Sequence, residues 1–197
     1  MYKFKSQQVG LTLIESIVGI VILGFALSVL VSGVFGSSSK SHQATYQVQA
    51  ATLGHSIITD ILSRQFDEHS DPNGGAYRCG EAIAPESCTA SNDLGRDGSV
   101  EKNTMSRSAI FNDVDDFIGC WGESAHCSSN TLTNYPLNKL IDEQRSSGYK
   151  NFTVQIQVTY SDIDGNNPAS IPYKKIEVVL YASNYATYAF HAYKGNY

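Results

Sequence analysis

Charge is scarce in this sequence, and it is missing altogether from one stretch near the N-terminus. Only 17% of the 197 residues are charged, against roughly 25% in an ordinary soluble domain, and no Asp, Glu, Lys or Arg occurs between Ser16 and Ser39. The 14 Lys and Arg residues form no cluster, and 19 acidic residues outnumber them. Nucleic acid is therefore not expected as a ligand, because binding a phosphate backbone requires a positive surface.

Signatures of catalysis are also missing. The five histidines are scattered, and the sequence contains no G-x-S-x-G elbow, H-E-x-x-H helix or phosphate-binding loop. His69 follows Asp67 and Glu68, but no nucleophile accompanies this group. We therefore expect that the protein is not an enzyme and has no cofactor.

What the sequence does have is a long apolar run. The 24 uncharged residues from Ser16 to Ser39 would form a helix of about 36 Å, enough to cross a hydrocarbon core of about 30 Å. A cleaved secretory signal has a shorter apolar run with an Ala-x-Ala-like site after it, and no such site follows here. We predict a transmembrane helix over residues 11–36, preceded on the cytoplasmic side by Lys3 and Lys5.

One carboxylate lies at the edge of this run. An unpaired charge such as that of Glu15 costs on the order of 3 kcal/mol or more in a membrane, so intramembrane acids usually have a function. The nearby cations are Lys3 and Lys5. Cleavage just before Leu11 would instead create an α-ammonium group four residues from Glu15.

The segment from Val9 to Ser16, followed by the apolar helix, resembles the start of type IV pilins and type II secretion pseudopilins. Members of that family have a short basic leader that ends in Gly and a Glu at the fifth mature position. The resemblance implies that residues 1–10 are a leader, that a prepilin peptidase cuts between Gly10 and Leu11, that Leu11 is methylated, and that Glu15 acts in assembly. This chain has Leu11 where the family usually has Phe.

Small residues recur at every fourth position of the apolar run. They are Gly24, Ser28, Ser32 and Gly36. This spacing places them on one helix face, where the lack of bulk lets another helix approach closely. The stripe predicts a helix-packing surface. The simpler explanation is that Gly and Ser are frequent in membrane helices.

Beyond Lys40 the apolar pattern becomes one-sided, which is typical of an amphipathic helix. The stripe consists of Tyr46, Ala50, Leu53, Ile57 and Ile61. It predicts a stalk helix over residues 37–66. The region 67–149 is expected to be loop-like, apart from a short helix over 136–147.

Residues 150–197 contain alternating apolar and polar residues, the pattern of half-buried strands. Strands are predicted over 152–160, 173–183 and 185–193, forming an antiparallel meander. The family resemblance implies an α+β fold in which a long N-terminal helix, transmembrane in its first half and amphipathic in its second, packs on this C-terminal antiparallel sheet.

Four cysteines lie in the loop region: Cys79, Cys88, Cys120 and Cys127. The predicted topology places them outside the cytoplasm, where an even number indicates disulfides. Of three possible connectivities, pairing between sequence neighbours is the simplest. Zinc is the alternative, but the pairs have eight and six intervening residues, more than the two to four typical of structural zinc.

Acidic residues also cluster, in the segments 66–75, 112–116 and 162–166. Their oxygens could bind calcium, but none has the spacing of an EF-hand loop. The simpler interpretation is that Asp and Asn cap helices and shape turns. We therefore predict no metal site.

The segments 66–75, 78–80 and 111–117 resemble those of minor pilins of the mannose-sensitive haemagglutinin (MSHA) pilus. The resemblance implies a rare subunit that helps to start or cap a filament used for attachment. The implied partners are other pilin subunits of the filament, the inner-membrane assembly platform and the prepilin peptidase. The chain would cross the inner membrane once, with its C-terminal domain in the periplasm, before it joins a surface pilus. A type II secretion pseudopilin and a membrane-anchored binding module that forms no filament remain alternatives.

Overall fold

The computed structural model describes residues 12–71, 77–103, 106–127, 132–162, 173–183 and 185–196, except for the side chains of 34–42, 124 and 143. The chain divides into two compact units, Met1–Thr45 and Tyr46–Tyr197. A 50-residue helix, α1 (Leu13–Leu62), contributes to both. It is uninterrupted because the first proline of the chain, the residue that most strongly breaks helices, is Pro72.

The first unit contains the apolar part of α1. Its large side chains are exposed, and the 21-residue segment Leu13–Gly33 has a mean hydropathy of 2.5. By length and composition this segment is a candidate membrane-spanning helix.

In the second unit, α1 buries the predicted stripe. Ala50, Leu53, Ile57 and Ile61 pack with apolar residues of the sheet in one hydrophobic core. Gly54 allows this close packing, because a Cβ atom there would lie 2.5 Å from the ring of Phe190.

The helix ends at Leu62, four residues before the predicted boundary at 66. Beyond it, Gln65 donates its backbone N–H to the carbonyl of Asn112 and accepts from the N–H of Val114. Lys194 donates from Nζ to the carbonyl of Leu62 at 3.0 Å, which satisfies one of the terminal helix acceptors. Pairing with another segment and this cap explain why the helix stops early.

The described residues form a five-stranded sheet in the order β2-β1-β3-β4-β5. The strands are β1 (Gly119–Trp121), β2 (Asn134–Tyr135), β3 (Phe152–Ser161), β4 (Tyr173–Ala182) and β5 (Ala186–Gly195). The last three form the expected antiparallel meander. β1 is antiparallel to β3 and parallel to β2. These two short strands were not predicted, since two or three residues show no alternation.

In the part of the chain that the structure describes, four short helices lie between α1 and the meander: α2 (Gly98–Glu101), α3 (Ser124–Cys127), α4 (Leu137–Leu140) and α5 (Glu143–Ser146). They are accompanied by 3-10 turns at Ser108–Ile110, Asp115–Phe117 and Ser147–Tyr149. The prediction of a single helix over 136–147 was therefore wrong. It is interrupted because Ile141 is extended and Asp142 caps α5 by accepting a hydrogen bond from the N–H of Gln144.

Candidate assembly helix and buried ion network

Glu15 lies in the first turn of α1, and its side chain is exposed. Its backbone N–H donates to Thr12 Oγ1 at 3.4 Å, so Thr12 caps the helix. Sequence reasoning missed Thr12, although Thr-x-x-Glu is the pattern of a capping box. The cap fixes Glu15 near the positive end of the helix dipole, which favours a carboxylate. The predicted cleavage and methylation positions, Gly10 and Leu11, lie outside the described residues.

The small-residue stripe lies on α1 with its hydroxyl groups turned onto the helix backbone. Ser28 donates from Oγ to the carbonyl of Gly24 at 2.6 Å, and Ser32 donates to the carbonyl of Val29 at 2.9 Å. A Cβ atom at Gly24 would meet nothing within 4 Å. Gly36 also lies in α1, but its surroundings are outside the description. The described residues thus give no packing reason for a glycine at position 24.

The cysteines form two disulfides between sequence neighbours, Cys79–Cys88 and Cys120–Cys127. Cys79 packs with Phe66 and Tyr160 in a small second core, and Cys120 lies on β1. Asp67 lies near the first disulfide, but oxidised sulfurs are not thiolates and do not offer a zinc site.

Two of the acidic segments shape turns, as predicted, since Asp67 Oδ1 accepts from the N–H of His69 at 3.1 Å and Asp113 Oδ1 accepts from that of Asp115 at 2.9 Å. Residues 163–166 of the third segment lie outside the described residues.

The first two segments also contribute to a buried ion network. Asp67, Asp113 and Asp115 are fully buried, as is Lys174 on β4. Lys174 donates from Nζ to Asp67 Oδ2 at 3.1 Å and also contacts Asp115 Oδ1. Tyr160 donates from its hydroxyl to the carbonyl of Thr89 at 2.6 Å. This ion network joins the loop region to the sheet.

Asp67 and Lys174 each stabilise the charged form of the other. Burial opposes the charge of Asp67, but Lys174 and the N–H groups of His69 and Thr89 outweigh it, so the pKa of Asp67 is lowered. Burial likewise opposes the charge of Lys174, but the surrounding carboxylates raise the pKa of Lys174 overall. For Asp113, burial and the charge of Asp115 raise the pKa to about 9.

Sequence reasoning also missed Lys174. Its position in β4 has the same parity as Ile176, Val178 and Leu180, all of which face the core. The strand pattern thus placed a lysine on the buried face, and a buried lysine requires acidic partners. That signal could have shown that Lys174 needs an acidic partner, but not which acidic residues lie next to it.

The predicted site residues are divided between the two units. Glu15 and the described members of the small-residue stripe belong to the first unit, whereas both disulfides belong to the second. A third group, Asp97, Glu101 and Asp116, comes together in the second unit. Comparisons with protein-family models, with curated proteins and with solved structures find no match to this chain. Its function must be inferred from its residues and their geometry.

Proposed function

We propose that this chain is a minor subunit of a type IV pilus of the MSHA type, similar to the minor pilin MshD, with a structural and not a catalytic role. The observation that carries the proposal is the order Gly10, Leu11 and Glu15 directly before a long apolar segment. The α+β organisation, with two disulfides in the second unit, is consistent with it.

In this proposal, cleavage after Gly10 removes Lys3 and Lys5 and gives Leu11 a free α-ammonium group. Glu15 then lies about one helical turn from that amine. Because an unpaired charge is costly in a low-dielectric environment, the carboxylate favours an arrangement in which it meets an amine, its own or that of a neighbouring subunit. Docking of correctly staggered subunits is favoured over lateral drift.

The exposed apolar side chains of Leu13–Gly33 would contact lipid before assembly and neighbouring helices afterwards. The small residues at positions 24, 28, 32 and 36 would let those helices approach closely. The partners are the prepilin peptidase, the inner-membrane assembly platform and the other pilin subunits. The second unit would lie in the periplasm first and at the cell surface later.

Intact-mass measurement of the chain, extracted from membranes and from sheared surface filaments, tests this proposal. We expect an N-terminus at Leu11 in both fractions. Gly10→Val should remain uncut and be absent from filaments, whereas Val9→Ala should be processed normally. A mature N-terminus at Met1 would contradict the proposal. A processed chain that is absent from pili but required for protein secretion would identify a pseudopilin instead. A processed chain found in no filament would favour the anchored binding module.

A further inference from the structure

We propose that Asp97, Glu101 and Asp116 form a Ca²⁺ site in the second unit. One carboxylate oxygen from each residue lies within 4.8 Å of the other two. Oxygens bound to one Ca²⁺ at 2.3–2.6 Å can be at most roughly 5 Å apart. A single ion can therefore contact all three carboxylates.

The site opens to solvent through a cleft of about 390 Å³. Asp97 and Glu101 line this cleft together with Glu68 and Asn112. Glu68 lies within hydrogen-bonding reach of Asp97 and would add a fourth carboxylate near the ion. The cleft provides an entry path and leaves room for the water ligands that a Ca²⁺ ion usually keeps.

The second, independent observation is an unpartnered oxygen at the inner end of the group. Asp116 is fully buried, and its Oδ2 accepts hydrogen bonds from the N–H groups of Asn112 and Asp113 at 2.9 and 3.3 Å. Its Oδ1 is buried and has no hydrogen-bond partner in the part of the chain that the structure describes. The Asp116 carboxyl group reaches that of Glu101, so this carboxyl points toward the group.

The side chain of Asp97 also lacks the helix-capping role that its position suggests. It occupies the N-cap position of α2, but its side chain makes no capping hydrogen bond. Its Oδ2 is buried and, among the described residues, lacks a hydrogen-bond partner. Buried polar atoms are nearly always paired, and leaving one unpaired costs about 1–3 kcal/mol, more if it is charged. Each of these two oxygens is therefore an acceptor that a bound cation could use.

The carboxyl groups around the site favour a cation, whereas the positive charge of the nearby Arg96 opposes one. Burial, together with nearby carboxylates, raises the pKa of Asp116 to about 7 and also raises the pKa values of Glu68 and Glu101. The nearby Arg96 directs its guanidinium to backbone carbonyls, with Nε donating to that of Asp116 and Nη1 to those of Glu101 and Asn103. The guanidinium also lies over the ring of Tyr135, whose centroid is 3.7 Å from Cζ.

The chemical nature of the three side chains indicates which metal ion the site would bind. All three side chains are carboxylates, which suit hard cations, and the group contains neither His nor Cys, which zinc prefers. Mg²⁺ requires a tighter octahedral shell at about 2.0–2.1 Å, whereas Ca²⁺ tolerates irregular geometry. Bound Ca²⁺ would tie α2 to the 3-10 turn at Asp115–Phe117. This inference does not depend on the proposed function.

Calorimetric titration of the full chain in detergent with CaCl2, after treatment with a chelator, tests the site. We expect one ion per chain with a Kd of about 10⁻⁴ to 10⁻³ M, the range of extracellular modules, and weaker binding of MgCl2. Asp97→Asn and Glu101→Gln, which lie at the cleft, should each weaken binding at least about tenfold. Asp93→Asn removes an exposed carboxylate outside the group and should bind like the wild type.

Thermal unfolding provides a second measurement. Ca²⁺ should raise the Tm of the wild type and of Asp93→Asn, and should raise that of Asp97→Asn by clearly less at the same concentration, because only a bound ion shifts the unfolding equilibrium. Absence of binding and of a Tm shift at about 10 mM Ca²⁺, well above that Kd range, would overturn the proposal and indicate that Asp116 and Glu101 share a proton. Wild-type affinity in both cleft variants would also overturn it.

Discussion

The two halves of α1 differ in the burial of their apolar side chains. In the second half, Ala50, Leu53 and Ile57 are buried against the sheet, and Tyr46 stacks on Tyr185 with 4.7 Å between ring centroids. In the first half, the side chains of Leu13–Gly33 are exposed. Burial of apolar area is the main favourable term in folding, so the first half requires a covering that lies outside its own unit.

The glycines of the helix show the same difference. Gly54 is required by its own chain, since a Cβ atom there would collide with Phe190. At Gly19, Gly24 and Gly33 a Cβ atom would meet no atom of the described residues within 4 Å, although each glycine costs roughly 1 kcal/mol of helix propensity relative to Ala. Glycines that lower helix stability and contact no other described residue of the unit are expected on a surface that packs against another molecule.

The largest expected effect tests whether the buried ion network stabilises the second unit. Lys174→Met should destabilise that unit by about 3–5 kcal/mol, because it leaves the buried carboxylates of Asp67 and Asp115 without their cation. Lys175→Met is the matched control, since Lys175 is partly exposed and lies 3.6 Å from Glu177. It should change stability by less than about 1 kcal/mol. Denaturant unfolding monitored by Trp121 fluorescence measures both. Equal effects of the two substitutions would contradict the assigned network.

The second prediction concerns pH. The pKa of Asp113 is raised from 3.8 to about 9, and that of Asp116 from 3.8 to about 7. Above about pH 4 the folded state therefore holds protons that the unfolded state has lost, and stability should fall as pH rises, by up to about 1.4 kcal/mol per pH unit for each proton. Above pH 7 Asp113 dominates among these two groups. The lowered pKa of Asp67 acts in the opposite sense, with stability lost as pH falls below about 4.

Unfolding free energies measured in a chelator between about pH 7 and 9 test this assignment. The wild type should lose stability across the range, whereas Asp113→Asn should show a nearly flat profile, even if its overall stability is lower. Asp93→Asn should retain the wild-type slope. A wild-type profile that is flat between these pH values would show that Asp113 is ionised.

The sequence predicts the regular parts of this fold and misses the parts that depend on distant contacts. Uniform apolar character and the late first proline, Pro72, predict the long helix, and strict alternation predicts the β3-β4-β5 meander. The end of α1 depends on backbone pairing between Gln65 and residues 112–114. Asp142 interrupts the α4–α5 segment through a local cap.

The candidate sites divide in the same way. Glu15 and the small-residue stripe are visible in the sequence because they are local patterns. The ion network is not, because Asp67 and Lys174 are separated by 107 positions. The group formed by Asp97 and Asp116 is also not visible in the sequence, because a short 3-10 turn places Asp116 near Asp97.

A smaller effect compares the two helix halves directly. Gly54→Leu should destabilise the second unit by about 1–2 kcal/mol, because overpacking against Phe190 exceeds the gain in helix propensity. Gly24→Leu should leave the unfolding of that unit unchanged, yet lower the amount of the chain in filaments. Denaturant unfolding and quantification of sheared filaments separate the two effects. Normal filament content of Gly24→Leu would show that the stripe is not a packing surface.

The central claim is that the charge of Glu15 guides assembly, and Glu15→Gln tests it most directly. Glutamine retains the size and hydrogen bonding that a capping box with Thr12 needs, but it cannot form an ion pair with an α-ammonium group. Quantification of the chain in sheared filaments and in the inner membrane should show at least about a tenfold loss from filaments, as expected when an intramembrane charge pair is broken, with an unchanged membrane level. Ser16→Ala should incorporate normally. Normal incorporation of Glu15→Gln would contradict the account.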